Sequence, residues 1–163
     1  MAAESDRRNG EKPQEITEVL ARLGLSEGEL SSTEFGSAIF AEKPGDGSAR
    51  EQAASCQRVL GGRANIVHDF ATKRYRSNCI NWGILPLSVS KEEAFDHLPG
   101  DYVFIPGIRD AIENGITEIP GYVVTKEKIE NITLFCDNLS EKERQIILDG
   151  CLMNYYAAGA KKD

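Results

Sequence analysis

The stretch Lys43-Pro-Gly-Asp-Gly-Ser-Ala-Arg-Glu-Gln-Ala-Ala-Ser-Cys-Gln-Arg-Val-Leu60 decides how the rest of the chain is read. Pro44, Gly45 and Gly47 interrupt any extended segment before them and permit unusual backbone angles. Ser48 followed three residues later by Glu51 has capping-box spacing, so the pattern predicts a helix that begins at Ser48. Upstream, residues 35–43 predict a short strand whose Ala38, Ile39 and Phe40 run is apolar enough to be buried on both faces. A helix that starts at the end of a strand presents unpaired N–H groups and the positive end of its dipole, which attract an anion. Arg50 adds a two-pronged guanidinium suited to a carboxylate. A structural reading fits the same residues: Ser48 and Glu51 as a cap, Arg50 facing water. Spacing alone leaves both open.

Working outward, residues 62–70 predict a second strand centred on Ile66 and Val67, and residues 71–85 a basic, helix-like segment that stops at Gly83. Strand, helix and strand therefore alternate, the signature of an α/β arrangement. Further on, the pattern predicts a short helix over 91–98, a strand over 102–106, a helix over 108–115 closed by Gly115, strands over 121–125 and 131–136, and one terminal helix over 140–159. Ser140 with Glu143 forms a second capping-box pattern, and Ile146, Ile147, Cys151 and Met153 to Tyr155 supply the buried stripe of that last helix. On the N-terminal side, Ile16, Val19, Leu20 and Leu23 recur at helical spacing before Gly24, and residues 26–33 read as a polar connector. Residues 1–13 are polar and aperiodic, a flexible tail. The expected organisation is a tail over 1–13, a short helix and linker over 14–34 whose membership stays open, a domain over 35–158 and a tail over 159–163. The fold class is α/β: a compact domain with a mixed sheet and a C-terminal covering helix, for which a barrel-like sheet and an open one are both admissible.

The 163 residues carry 19 Lys and Arg against 26 Asp and Glu, a formal charge of −7 that repels phosphate backbones and anionic lipid surfaces. Nucleic acid and membrane are therefore not expected partners. No run approaches the roughly 18 apolar residues of a membrane span, and the first residues lack the apolar segment of a secretion signal, so the expected location is cytoplasmic. Cys56, Cys79, Cys136 and Cys151 include no CxxC or other close ligand pair, so the chain by itself is expected to hold no metal or cluster. They read as small buried hydrophobes in a reducing compartment. His68 and His97 are the only imidazoles. Asn78, Asn81 and Trp82 fit packing and capping roles, with an inter-domain cleft as the other reading. Lys73, Arg74 and Arg76 fit a solvated helix face or, alternatively, a contact to an acidic partner or a guide for a polycarboxylate.

Three ordered blocks carry a resemblance. They are Gly47-Ser-Ala-Arg-Glu-Gln-Ala-Ala54, then Arg63-Ala-Asn-Ile-Val67 leading to Asp69-Phe-Ala71, then Tyr75-Arg-Ser-Asn-Cys-Ile-Asn-Trp-Gly-Ile-Leu-Pro-Leu87. In this order the chain resembles the swivelling domain of the aconitase and 3-isopropylmalate dehydratase family over roughly residues 36–157. The family pattern is Gly-Ser-Ser-Arg-Glu-His-Ala-Ala, Ser-Phe-Ala and Asn-Leu-Ile-Asn-x-Gly-Ile-Leu-Pro-Leu. The resemblance implies a swivelling β/β/α domain of a hydro-lyase that acts on hydroxy di- or tricarboxylic acids. It implies Ser48 as the base that takes the substrate proton, Arg50 as the carboxylate-binding group, and Gly47 with the Ala49 backbone beside them. It also implies a [4Fe–4S] cluster carried by a separate large subunit or domain. Ala49 stands where the family has its second Ser, and Gln52 where it has His. The rival expectation is a non-catalytic carboxylate-binding or interaction module on the same fold.

Overall fold

The computed structural model describes residues 14–92 and 95–159. The tail expected over 1–13, most of that over 159–163, and two positions of the helix expected over 91–98 lie outside the described residues. In chain order the elements are α1 (Gln14–Arg22), α2 (Glu27–Ser32), β1 (Ser37–Ala41), α3 (Arg50–Val59), β2 (Gly62–Val67), α4 (Lys73–Asn81), β3 (Leu85–Ser88), β4 (Tyr102–Phe104), α5 (Ile108–Asn114), β5 (Glu118–Val124), β6 (Ile129–Phe135), α6 (Glu141–Leu148) and α7 (Leu152–Ala157). The strands form one six-stranded mixed sheet in the order β1-β2-β3-β6-β5-β4, so the domain is α/β and its sheet is open, with β1 and β4 at the edges.

The sheet has two halves of different origin. Strands β1, β2 and β3 are parallel neighbours, in register Phe40 with Ile66 and Ile66 with Leu87, and helices α3 and α4 make the crossovers that parallel pairing demands. Strands β4, β5 and β6 are antiparallel neighbours. The halves meet at a single antiparallel pair, Ser88 with Phe135. A continuous apolar cluster crosses this seam, with Ala64, Ile66, Leu87 and Val89 from one side against Ile119, Val123, Ile132 and Leu134 from the other. Burying each such aliphatic side chain is worth about 1.5–3 kcal/mol, so packing rather than strand pairing joins the halves.

On the opposite face of β2, Asn65 is buried and hydrogen-bonded on all sides. Gln57 Nε2 donates to Asn65 Oδ1 at 2.6 Å, and Asn65 Nδ2 donates to Tyr75 Oη at 3.3 Å and to Cys79 Sγ at 3.2 Å. One residue of the sheet thereby fixes both crossover helices.

Several expectations are corrected by the structure. Residues 26–33 are not a connector: Glu27–Ser32 is a helix, opened by a capping box in which Ser26 and Glu29 exchange bonds. Strand β1 is not buried on both faces. As an edge strand it leaves Ile39 45% and Phe40 37% exposed, and Phe40 stacks on Phe95 at 4.3 Å. Residues 95–98 are not helical. The terminal helix is two helices, because Gly150 adopts a left-handed φ of 90° and the chain turns between α6 and α7. The turn takes Met153 out of the expected stripe to 67% exposure, while Ile146 stays buried. The Ser140–Glu143 box forms as expected.

All four cysteines are free. Cys79 and Cys136 are buried, and loss of hydration pushes each thiol up from 9.0 to about 11. Cys56 is exposed. We therefore expect a thiol-specific reagent at neutral pH to label Cys56 in the native protein and to reach Cys79 and Cys136 only on unfolding. The raised values set the sign of the alkaline response: the neutral thiols stabilise the fold fully below about pH 9, and that contribution is lost as pH rises from 9 to about 11. Thermal melts across that range should show the falling midpoint, and alanine at both positions should flatten it.

Candidate functional site

The β1–α3 loop, residues 42–49, leaves the carboxyl end of an edge strand and enters a helix. Ser48 does not open that helix. Ala49 is the N-cap residue and contributes no side-chain bond, so the Ser48–Glu51 capping box is not formed. Glu51 is held instead by α4: Trp82 Nε1 donates to Glu51 Oε1 at 2.6 Å. With the Asn78 amide turned to satisfy both its ends, its oxygen accepts from the Glu51 N–H at 2.9 Å and its nitrogen donates to Glu51 Oε2 at 3.3 Å. The start of α3 is thus capped by the neighbouring helix, which gives Asn78 and Trp82 the structural role expected of them. Ser48 is released from capping and stands exposed, with Gly47 and Ala49 on either side also exposed.

Arg50 is half-buried and anchored along one edge. Its Nε donates to Gly45 O at 3.0 Å and its Nη2 to Asp46 O at 3.2 Å. A guanidinium carries five N–H donors in a flat fork. Two are used in this way, and among the described residues no acceptor bonds Nη1, so the terminal edge of the fork keeps a pair of parallel N–H groups for an incoming anion. The N–H groups of Arg50 and Gln52 likewise meet no acceptor among the described residues.

The two loop glycines act differently. Gly45 has a φ of 98°, and a Cβ there would lie 2.5 Å from the Tyr75 ring, so both conformation and packing require it. Gly47 has neither demand: a Cβ would meet nothing within 4 Å, which leaves open space beside Ser48. The sequence-predicted set Gly47, Ser48, Ala49 and Arg50 therefore lies on one turn, with the guanidinium braced and the hydroxyl exposed and without a partner among the described residues.

Arg76, read in the sequence as part of a basic helix face, makes contacts within the chain. It donates to Asp137 O at 2.6 Å and lies 3.9 Å from Glu143. His68 stands at the carboxyl end of β2 beside an open depression lined with Glu42, Lys43, Asp69 and Lys91. Among the described residues no group of three or more His, Cys, Asp or Glu side chains is arranged to hold a metal ion. The donor set itself does not fit an iron–sulfur cluster, since Cys79 and Cys136 are buried on different sides of the sheet and resist the thiolate form that cluster ligands require. No helix among the described residues is long and apolar enough to cross a membrane.

The chain has relatives among known proteins. A family model for the aconitase C-terminal domain matches residues 13–92. The small subunit of the methanogen homoaconitase of Methanocaldococcus jannaschii is 33% identical over 133 residues, covering 81% of this chain and 68% of that protein. A protein named for mitochondrial aconitate hydratase in Emericella nidulans is 32% identical over 118 residues, covering 71% of this chain. This chain spans only 15% of the length of that relative. A crystal structure of 3-isopropylmalate dehydratase from Methanocaldococcus jannaschii is similar with a TM-score of 0.49 at 28% identity, covering 83% of this chain and 72% of that one.

The packing of Gly45 gives a direct test. Gly45→Ala meets both a disfavoured φ and the Tyr75 ring and should destabilise the fold by about 1–3 kcal/mol in denaturant titration. Gly47→Ala, in open space, should change stability by less than about 0.5 kcal/mol.

Proposed function

Because the chain belongs to the aconitase C-terminal domain family, we propose that it is the swivel section of a hydro-lyase that adds or removes water on hydroxy di- or tricarboxylic acids. Its partner in this reading is a large subunit or domain that carries the [4Fe–4S] cluster. The single observation that carries the reading is the state of Arg50: one edge of its guanidinium is held by Gly45 O and Asp46 O, and its terminal edge has no acceptor among the described residues, two positions from the exposed Ser48.

In the mechanism we propose, the terminal edge of Arg50 binds a substrate carboxylate through two parallel charge-assisted hydrogen bonds. That pairing fixes the acid relative to Ser48 and converts the proton transfer into a step between neighbours. Ser48 Oγ takes the proton from the carbon next to a carboxylate. The alkoxide required for this is favoured by the guanidinium two residues away and by the positive end of the α3 dipole. The open N–H groups of Arg50 and Gln52, with the backbone at Gly47 and Ala49, supply further donors for an anion. The cluster on the partner section would supply the Lewis acid for the departing hydroxide. Closure of the partner over this turn would exclude water from the reacting centre. The four free thiols suit a reducing compartment, and the cytoplasm is part of the proposal.

One observation favours a second reading. Ala49 removes a hydroxyl that the family motif places between Ser and Arg, which weakens the case for turnover and fits a module that binds carboxylates without converting them. An assay of cis-aconitate hydration, with this chain mixed with an aconitase-family large subunit, separates the two. Under the hydro-lyase reading the mixture turns over, Ser48→Ala lowers the rate by about 10²–10⁴-fold with KM little changed, and Arg50→Lys raises KM by about tenfold or more through loss of the bidentate pair. Under the binding-module reading no mixture turns over, while calorimetry with the isolated chain still detects tricarboxylate. Activity that is indifferent to both substitutions removes the assigned roles.

A further inference from the structure

The β2–α4 loop is laced to the β1–α3 loop in an irregular continuation of the strand pair before them. The Asp69 N–H donates to Glu42 O at 3.0 Å and the Ala71 N–H donates to Pro44 O at 2.9 Å. Thr72 Oγ1 then donates to Gly45 O at 3.0 Å. Gly45 O is the carbonyl that also accepts from Arg50 Nε at 3.0 Å. A carbonyl oxygen has two lone pairs, and here both are taken, one by Thr72 and one by Arg50. With a single donor the Gly45 peptide could rotate and carry the guanidinium with it. Two donors hold the Gly45 carbonyl, and the Tyr75 side chain packs closely against the Gly45 Cα.

Thr72 is fixed in turn. Its hydroxyl accepts from the Tyr75 N–H at 3.2 Å as the N-cap of α4, so its remaining proton is directed at Gly45 O. Tyr75, one turn into α4, is held through its hydroxyl by Asn65. The chain of contacts runs from the buried Asn65 through Tyr75 and Thr72 to Gly45 O and ends at Arg50.

We propose that Thr72 is the positioning residue for Arg50: by donating to the carbonyl that Arg50 also uses, it sets the direction of the guanidinium edge offered to a carboxylate. The assignment rests on the functional reading only for the identity of the ligand. The alignment of Arg50 itself is a property of the chain alone.

The test uses the full chain labelled with ¹⁵N and two readouts. Solvent exchange of the Arg50 Nε–H signal measures the anchored edge and requires neither partner nor substrate. Calorimetric titration with citrate measures the free edge. In the parent, the Arg50 Nε–H should exchange at least about fivefold more slowly than that of the exposed Arg74, the factor expected for one net hydrogen bond. Thr72→Val should bring the Arg50 exchange rate close to that of Arg74 and weaken citrate binding by about fivefold or more, and Thr72→Ser should restore both. If Thr72→Val lowers the melting temperature and leaves Arg50 exchange as in the parent, Thr72 merely caps α4 and the proposal is overturned. It is equally overturned if the parent Arg50 and Arg74 signals exchange alike, a result independent of whether any variant folds. Exchange that responds as described in a parent that ignores citrate upholds the positioning role and removes the carboxylate reading.

Discussion

Asn65 is the group on which the arrangement of this domain turns. A buried amide without partners costs a few kcal/mol, so the fold holds only if Gln57 and the α4 residues Tyr75 and Cys79 stand where their polar atoms reach it. Apolar contacts would tolerate a helix that slid by a fraction of a turn. Hydrogen bonds to a fixed amide do not. The two crossover helices are therefore registered against the sheet to within hydrogen-bond tolerance, and the loops that open them, 42–49 and 68–72, inherit that registration. The exposed turn of Gly47 to Arg50 is built on a rigid support although it lies on the surface.

The support extends between helices as well as from helix to sheet. Helix α3 lacks a cap of its own and borrows one from Asn78, while Trp82 grips the carboxylate of Glu51. Residues that would satisfy each other locally in a free-standing helix are thereby committed to a neighbour, and Ser48 is left without a structural task. Ser48 has no hydrogen-bond partner among the described residues, and two positions on stands a guanidinium anchored along one edge. This is the physical content behind reading the turn as a site.

Much of the architecture was legible in the sequence because it depends on short-range patterns. The alternation from β1 to β3 followed from Ile66 and Val67 between two helix-like segments, and the Ser140–Glu143 pair marked a helix start that formed as read. The same rule misread Ser48, since the spacing Ser-x-x-Glu cannot reveal that Asn78, 27 positions from Glu51, competes for the same N–H. The same spacing at Ser26 and Glu29 does form a capping box, inside a segment whose polar composition suggests a connector. Strand β1 was apolar enough to suggest an interior strand, and only the strand order shows that it ends the sheet. Ser48 and Arg50 could be named as candidates from residue types and from the motif that carries the resemblance. The half-satisfied state of Arg50 and the role of Thr72 could not be read in that way, because both depend on where one carbonyl, Gly45 O, points in three dimensions.

The seam between β3 and β6 has a consequence for how such a domain responds to change. One backbone rung, Ser88 with Phe135, pairs the parallel strands with the antiparallel ones, and the rest of the union is apolar packing with a polar tie from Arg76 to Asp137 O and Glu143. Lengthening or retwisting the β4–β5 end of the meander would reach the carboxyl ends of β1 and β2 only through β6 and that joint. The outer wing of the sheet can therefore change its pitch with little effect on the aim of the turn that holds the guanidinium, as a hinge isolates a door from its frame.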